Sequence, residues 1–407
     1  MTPVSTVILP GNGQSPASAT TPAAPPLPGR PLRIAFVTET WLPSTDGVVT
    51  RLVATVRHLR SMGHELMMVA PAPAEPLFEG MRVHTVPTVG VSFIAGGRPW
   101  GLPVPRVAAS LDAFRPDLVH VVNPFVVGVA GVLAARRRRL PLVCSYHTNV
   151  AAYAEFYHMG VTRPMIWTLL RLLHNAADLN LATSDAVRRD ILAHGIRHVD
   201  LWERAVDTTA FHPSHRDAAM RRRLSGRLPG APIAIYVGRL APEKGLDRLR
   251  VLTGMDLGMN LAFVGDGPYR NQMERAFGPS GAVFTGMLHG EELTRAYASA
   301  DLFLFPSTTD TLGLVVLEAL SSGLPVVAAD SAPSREMLDG TGAARLFDPS
   351  DGQSLGATVA ALVAPGSERL RATLARAARA EAERHDWRAA TERLVAAYGR
   401  VLAARRA

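Results

Sequence analysis

Two carboxylates, Asp310 and Glu318, bracket the predicted start of a helix in the second half of the chain. The apolar run Leu302–Phe305 before them is typical of a strand buried on both faces. Gly313 suits the beginning of the helix, and Gly323 suits its left-handed C-terminal cap. Because the free N–H groups of a helix N-terminus attract anions, we expect a phosphate site flanked by acceptors for sugar hydroxyls. The alternative is that both acids have ordinary surface roles.

Lys244 is the only lysine in the chain, among 43 basic residues that are otherwise all arginine. It lies with Arg239 in the loop that follows a predicted strand. A compact ammonium and a planar guanidinium fork together suit a diphosphate. The alternative is chance, since a single lysine must lie somewhere.

Four loops of the second half each follow a predicted strand, and the loops of a doubly wound sheet share one edge. In chain order they carry Arg239 and Lys244, then Asp266, then Met287, and then the stretch from Asp310 to Glu318. No Asp-x-Asp occurs in the chain, so we expect no metal and no other cofactor. The cations and the helix end would then stabilise the leaving group. The absence of Walker A and G-x-S-x-G motifs argues against an NTPase and a serine hydrolase.

The first half also alternates predicted strands and helices. A strand near residues 32–38 leads into a loop, and Gly47 opens a helix, which together resemble a mononucleotide-binding unit. His147 stands just past another strand, at the ligand edge of an open parallel sheet. The alternative for His147 is a hydrogen-bonded histidine that only completes the strand end.

Length and charge limit the class of protein. A chain of 407 residues with 47% hydrophobic content is long enough for two domains. The formal net charge of +8 favours anionic partners, namely phosphates or a lipid surface, whereas nucleic acid lacks a supporting motif. The single cysteine, Cys144, excludes an intramolecular disulfide, predicts a buried strand thiol and agrees with a reducing cytoplasm.

Membrane contact is expected at the surface only. The apolar segment 118–135 is interrupted by Asn123 and Pro124, which predict a strand and a helix in place of a membrane span. Arg51, Arg57 and Arg60 are predicted to form an exposed helix face, and a run of arginines occupies positions 136–139. Both are candidates for contact with anionic lipid at the inner face of the membrane.

We predict four segments from these patterns. Residues 1–31, with eight prolines and one charge, form a disordered leader without the features of a secretory signal. Residues 32–207 form a first domain, residues 208–387 form a second domain, and residues 388–407 form a final helix. The fold class is α/β, with two doubly wound Rossmann-like domains that face each other across a cleft.

Several stretches together resemble the family 4 retaining glycosyltransferases, which have the GT-B fold. They are residues 238–245 (GRLAPEKG), 265–268 (GDGP), 312–319 (LGLVVLEA) and 322–327 (SGLPVV). The resemblance covers roughly residues 32–403. It implies that residues 32–207 form the acceptor-side domain, that residues 208–387 form the nucleotide-sugar-binding domain, and that the helix of residues 388–407 crosses back to the first domain. Asp310 to Glu318 occupies the E-x7-E motif of that family, with Asp in place of the first Glu, so that this carboxylate is one methylene shorter.

The resemblance implies roles for individual residues. Glu318 would hold the nucleotide ribose, and Arg239 and Lys244 would hold the diphosphate. Asp310 and His147 would contact the donor sugar. The further donor-binding candidates are the helix-start residues Gly313, Leu314 and Val315, the first-domain Gly47, and Asp266 and Met287, of which Met287 would lie near the base.

Two branches of the family are most similar. Residues 145–148 (SYHT), 171–174 (RLLH) and 200–207 (DLWERAVD) resemble sulfoquinovosyl-diacylglycerol synthases. Residues 39–48 (ETWLPSTDGV) and 152–160 (AYAEFYHMG) resemble GDP-mannose-dependent α-mannosyltransferases of glycolipid synthesis, and this resemblance is narrowly the closer. One alternative is a sulfoquinovosyl- or glucosyltransferase that uses a UDP-sugar. Another is a non-catalytic protein of the same fold that binds sugar nucleotides or a membrane surface, and a phosphorylase is a more distant one.

Overall fold

The computed structural model describes residues 30–44, 46–90, 99–101, 105–147, 163–310 and 313–406. Nearly all of the predicted leader and the stretch 152–160 lie outside these residues. The described chain forms two lobes, each built on a largely parallel sheet with helices between successive strands. This is the predicted α/β architecture.

The first lobe contains a sheet of eight strands in the order β10-β9-β8-β7-β1-β2-β4-β3, with only β3 antiparallel to its neighbour. A separate antiparallel pair is formed by β5 and β6. The elements are β1 (Arg33–Thr38), α1 (Gly47–Ser61), β2 (Glu65–Pro71), β3 (Leu77–Phe78), β4 (Met81–Val86), β5 (Thr88–Gly90), β6 (Pro99–Gly101), α2 (Pro105–Phe114), β7 (Leu118–Val122), α3 (Val127–Arg137), β8 (Leu142–Tyr146), α4 (Arg163–His174), β9 (Leu179–Ala182), α5 (Asp185–Ala193) and β10 (Val199–Leu201).

The second lobe contains a sheet of six parallel strands in the order β13-β12-β11-β14-β15-β16. Its elements are α6 (Ala218–Leu224), β11 (Ile233–Val237), β12 (Asn260–Val264), α7 (Arg270–Phe277), β13 (Val283–Gly286), α8 (Gly290–Ser299), β14 (Leu302–Phe305), α9 (Leu314–Ser321), β15 (Val326–Ala329), α10 (Ala332–Leu338), β16 (Ala344–Phe347), α11 (Gly352–Val363) and α12 (Glu368–Ala382). Short 3₁₀ helices span Pro213–His215, Pro242–Lys244, Leu246–Gly254 and Gly278–Ser280. The central strands are fully buried, which explains why they read as continuous apolar runs.

The last helix, α13 (Trp387–Ala404), packs on the first lobe. Its residues Leu394 and Tyr398 join the same buried cluster as Leu52 and Val56 of α1. Arg405, just after the helix, pairs with Asp178 at 2.8 Å. The core of the first lobe is therefore completed by a helix that follows the second lobe in the sequence.

Two contacts join the lobes directly. Glu336 of α10 accepts hydrogen bonds from the backbone N–H groups of Asp185 (2.9 Å) and Ala186 (2.5 Å), at the N-terminus of α5. Arg204 donates to the same carboxylate at 2.8 Å. In addition, Leu314, the first residue of α9, belongs to a small buried group with Trp387 and Ala390 of α13, which packs on the first lobe.

Two of the predictions for the first lobe are confirmed, and one is wrong. Cys144 is buried within β8, and the apolar segment 118–135 divides into β7 and α3 as predicted. No helix of the described residues has the length and apolar character needed to cross a membrane. Arg51, however, is fully buried, because its guanidinium stacks on Trp202 and donates to the backbone carbonyls of Trp202 and Glu203. The predicted arginine face of α1 therefore loses one of its three members.

Candidate functional site

The loops at the carboxyl edge of the second sheet pack tightly on one another. Gly238 N–H donates to Val264 O at 3.0 Å, and Leu240 N–H donates to Asp266 O at 2.9 Å. Gly265 has a φ of 139°, and a Cβ there would lie 2.0 Å from Gly238 O. A side chain at Gly265 would therefore separate the two loops, which explains the glycine.

Both predicted diphosphate cations lie at this edge, and each is held by a carboxylate. Lys244 Nζ donates to Asp310 Oδ2 at 2.7 Å, and both side chains are largely buried. The Arg239 guanidinium pairs with Glu243, which is 1% exposed. Thr309 Oγ1 donates to Glu243 O at 3.0 Å, so the loop after β14 is also tied to the loop after β11. The fold thus brings Arg239, Lys244 and Asp310 to one edge of the sheet.

The start of α9 depends on a glycine. Gly313 adopts a left-handed conformation, with φ 59°, and a Cβ there would lie 2.4 Å from Met337 Cε. Leu314 is buried and Val315 is partly buried, and both begin the helix directly after Gly313. Their amide groups belong to the first turn, whose N–H groups have no partner within the helix.

Glu318 lies one turn further along α9. Its Oε2 accepts a hydrogen bond from the Tyr297 hydroxyl at 2.8 Å. Burial raises the pKa of Glu318 to about 7, although the Tyr297 bond partly opposes this increase. Glu318 therefore changes its charge close to neutral pH, and this change affects any hydrogen bond that it accepts from a ligand hydroxyl group.

Asp266 and Met287 follow β12 and β13 on the same edge. Asp266 is exposed, pairs with Arg270 at 3.0 Å and accepts from the Gly267 N–H at 2.7 Å. The Met287 side chain is 46% exposed. A partly open thioether at the rim offers an apolar contact for a flat ring, whereas Asp266 serves mainly to shape its own loop.

His147 and Gly47 lie on the first lobe. His147 follows β8 and is 4% exposed, and its Nε2 lies 2.9 Å from Ser145 Oγ. Burial, together with the nearby Arg51, holds the pKa of His147 well below its usual value, so the ring is neutral. Gly47 is the first residue of α1, after the N-cap Asp46.

Several residues at these sites were not predicted from the sequence. Glu243 and Tyr236 hold Arg239, since the Tyr236 hydroxyl donates to Arg239 O at 3.0 Å. Tyr297 orients Glu318. The only sequence signal available was that Arg239 and Glu243 lie four residues apart in the loop that follows β11. The tyrosines carry no such signal, because Tyr236 bonds to a backbone carbonyl, which every residue offers, and the partner of Tyr297 lies 21 positions away.

The arrangement is suited to an anionic leaving group. Two cations and a helix N-terminus meet at one sheet edge, where they can stabilise charge that develops on a diphosphate. Glu318 can accept hydrogen bonds from hydroxyl groups, and Asp310 can do the same beside Lys244. The described residues contain no group of three or more His, Cys, Asp or Glu side chains arranged to hold a metal ion.

Comparisons with known proteins agree with this geometry. Residues 45–210 match the model of Glycosyltransferase Family 4, and residues 231–364 match that of Glycosyl transferases group 1. A GDP-mannose-dependent alpha-mannosyltransferase of Mycolicibacterium smegmatis is 41% identical over 75% of this chain and 82% of its own length. The sulfoquinovosyl transferase of Arabidopsis thaliana is 37% identical over 90% of this chain and 73% of its own.

More distant matches come from sequence and from solved structures. An alpha-monoglucosyldiacylglycerol synthase of Streptococcus pneumoniae is 26% identical over 73% of this chain and 71% of its own length. The Anabaena protein HepE, solved in complex with UDP and glucose, superposes with a TM-score of 0.72 at 20% identity, over 89% of this chain and 98% of its own. The chain belongs to the family 4 glycosyltransferases of the GT-B fold and is a hexosyltransferase.

Proposed function

We propose that this enzyme transfers mannose from GDP-mannose to a hydroxyl group of a glycolipid acceptor, with retention of the anomeric configuration. The choice of GDP-mannose as the donor is supported by the 41% identity to a relative named as a GDP-mannose-dependent alpha-mannosyltransferase. The loops of the second lobe supply what any nucleotide-sugar donor needs, namely cations for the diphosphate and carboxylates for hydroxyl groups.

Each residue has a defined part in this proposal. Arg239, Lys244 and the amides that begin α9 bind the diphosphate and stabilise it as it leaves. Glu318 accepts from the ribose, and Asp310 contacts the donor sugar. From the first lobe, His147 contacts the sugar, and Gly47 allows its loop to approach the phosphates. Met287 lies beside the base, and Asp266 shapes the neighbouring loop.

The proposal includes no metal and no other cofactor. It rests on the absence of Asp-x-Asp from the whole sequence and on the two cations at the sheet edge. Fixed positive charge can neutralise a departing diphosphate in the way that a divalent ion does elsewhere.

A sulfoquinovosyl or glucosyl transfer from a UDP-sugar is the second candidate. It is favoured by the 37% identity to the Arabidopsis thaliana sulfoquinovosyl transferase, which extends over 90% of this chain. The residues assigned to the diphosphate do not distinguish the two, because both donors carry a diphosphate.

The acceptor side is proposed to face an anionic lipid surface. Met165 and Leu172 of α4 are each 68% exposed, and Leu169 is 38% exposed. Their spacing places them on one face of the helix, and the same helix carries the exposed Arg163 and Arg171. An apolar stripe with neighbouring arginines suits the interface of an anionic bilayer.

A donor panel tests the proposal. Thermal shifts with GDP-mannose, UDP-glucose, UDP-sulfoquinovose and ADP-glucose identify the nucleotide sugar, and slow hydrolysis of the bound donor then shows turnover. We expect GDP-mannose to stabilise the enzyme most and to release mannose. Stabilisation by UDP-sugars alone would support the second candidate. Donor binding with neither hydrolysis nor transfer would support a non-catalytic protein.

A further inference from the structure

A hydrogen-bond chain of four buried side chains links Tyr398 of α13, the last helix, to His147. The Tyr398 hydroxyl lies 2.7 Å from His120 Nδ1, and His120 Nε2 lies 2.9 Å from Ser145 Oγ. Ser145 Oγ also lies 2.9 Å from His147 Nε2. All four side chains are at most 4% exposed, so solvent does not compete for these bonds.

The hydrogen bond made by Tyr398 determines which groups donate and which accept along this hydrogen-bond chain. Within the described residues, His120 Nδ1 is the only hydrogen-bond partner of the Tyr398 hydroxyl. If that hydroxyl accepted a proton from His120, its own proton would be buried without an acceptor, which is an expensive defect. The Tyr398 O–H therefore donates to His120 Nδ1.

The donation by Tyr398 fixes the positions of the protons on His120, Ser145 and His147. Burial lowers the pKa of His120 to about 3, and the pKa of His147 is also well below its usual value, so each ring carries one proton. Since His120 accepts through Nδ1, its proton is on Nε2 and donates to Ser145 Oγ. The Ser145 O–H then donates to His147 Nε2, which leaves the proton of His147 on Nδ1.

We propose that Tyr398, His120 and Ser145 are positioning residues that hold His147 as the neutral tautomer with its proton on Nδ1. In this tautomer, His147 can donate a hydrogen bond to a sugar oxygen through Nδ1 only. Its role in contacting the donor sugar rests on the proposed function, whereas the tautomer itself does not.

Packing around the chain supports a fixed geometry. The Trp202 ring lies 5.0 Å from the His120 ring and 5.1 Å from the His147 ring, between centroids. The Arg51 guanidinium stacks on Trp202 at 4.3 Å, and its positive charge disfavours a second proton on either histidine. The His147 backbone N–H donates to Asn123 Oδ1 at 2.9 Å. Because α13 packs on the first lobe, Tyr398 reaches His120 and becomes the first member of this hydrogen-bond chain.

Nitrogen NMR of the full-length protein tests the tautomer without any substrate. Among the 13 histidines, labelled with ¹⁵N, His147 is identified by the signals that are lost in His147→Asn. We expect a protonated Nδ1 and an unprotonated Nε2 in the wild type. In Tyr398→Phe, part of the population should move its proton to Nε2. A wild-type His147 with its proton on Nε2, or an unchanged tautomer in Tyr398→Phe, overturns the proposal.

Kinetics test whether the tautomer matters for transfer. Ser145→Ala should lower kcat on the order of tenfold and leave the Kd for GDP unchanged, because His147 is assigned to the sugar. Ser110→Ala is the matched control, since it removes another Ser–His bond of the same lobe, to His84 Nδ1 at 3.0 Å. The control should keep both kcat and the His147 signals.

The outcomes separate this proposal from the proposed function. An equal loss of GDP affinity in Ser145→Ala would indicate a general structural defect and would count against a positioning role. A protein that binds no GDP would contradict the proposed donor, whereas the tautomer would still be read from the spectrum.

Discussion

Lys244 Nζ lies 2.7 Å from Asp310 Oδ2, so the single lysine of the chain is paired with the first acid of the E-x7-E position. The sequence assigned these residues to different parts of the donor, the lysine to the diphosphate and the aspartate to the sugar. The contact makes the two assignments dependent on each other. Any change in Lys244 alters the electrostatic environment of Asp310, and the reverse also holds.

Lys244→Ala should raise the donor KM and lower kcat, because negative charge grows on the diphosphate as it leaves. Loss of one charged hydrogen bond costs about 1.5–3 kcal/mol, which corresponds to roughly a ten- to hundredfold lower kcat/KM. Steady-state kinetics with the identified donor measure this change. Arg250→Ala is a suitable control, since Arg250 is an exposed cation that pairs with Asp247. Wild-type kinetics in Lys244→Ala would remove Lys244 from the diphosphate site.

The sequence predicted the second lobe well because its chemistry is local. The strand Leu302–Phe305, the helix that starts after Gly313 and the left-handed Gly323 each depend on a few neighbouring residues. Loops that follow parallel strands share one edge, so the loop with Arg239 and Lys244 could be placed near the loop with Asp310 without coordinates.

What the sequence could not show depends on contacts between distant segments. Arg51 was predicted to lie on an exposed face with Arg57 and Arg60, yet Trp202, far along the chain, covers its guanidinium. The bond of Tyr398 to His120 likewise joins residues that are 278 positions apart. No periodicity or motif carries such information.

Glu318 should make donor binding depend on pH. Only the ionised carboxylate accepts from two ribose hydroxyls, and its pKa is raised to about 7. The Kd for the nucleoside diphosphate should therefore be on the order of tenfold weaker at pH 6 than at pH 8. Calorimetric titrations at several pH values measure this slope. Glu318→Gln should bind weakly with little pH dependence, and an equally steep slope in that variant would assign the titration to another group.

The same residue should affect stability in the opposite sense. The folded protein keeps the Glu318 proton up to about pH 7, whereas the unfolded chain releases it near the ordinary value of 4.5. The contribution of Glu318 to the free energy of unfolding therefore falls as pH rises between these two values. Chemical denaturation at pH 5 and pH 7 should show this decrease in the wild type and a smaller one in Glu318→Gln.

The stripe on α4 should carry vesicle binding. Flotation with vesicles that contain anionic lipid should recover the wild type, and binding should weaken with added salt because surface charges are screened. The double variant Met165→Gln/Leu172→Gln should float less. The double variant Leu77→Gln/Leu228→Gln alters apolar residues that are 59% and 44% exposed elsewhere, and it should float like the wild type. Equal binding to neutral and anionic vesicles would contradict the role of the arginines.

Activity should persist in EDTA. The prediction follows from the two cations at the sheet edge and from the absence of Asp-x-Asp in the sequence. Initial rates before and after extensive chelation provide the measurement. Loss of activity that Mg²⁺ or Mn²⁺ restores would show that fixed cations do not suffice for the leaving group.

The mechanism of retention can be predicted from the position of Asp310. A covalent route needs a carboxylate that attacks the anomeric carbon, with a second acid to assist. Asp310 is one methylene shorter than the glutamate of the family motif, and one of its oxygens already accepts from Lys244. Both features reduce its suitability as a nucleophile but leave it able to bind a sugar hydroxyl.

We therefore expect attack of the acceptor on the same face that the diphosphate leaves, without a glycosyl-enzyme. The departing diphosphate, held by Arg239, Lys244 and the first turn of α9, takes the acceptor proton. Asp310→Asn should keep measurable activity, and Asp310→Glu should keep more, since it retains the charge opposite Lys244. Mass spectrometry of enzyme quenched during turnover decides between the routes. A hexose adduct on the peptide that carries Asp310 would establish the covalent route, whereas its absence during steady turnover supports direct transfer.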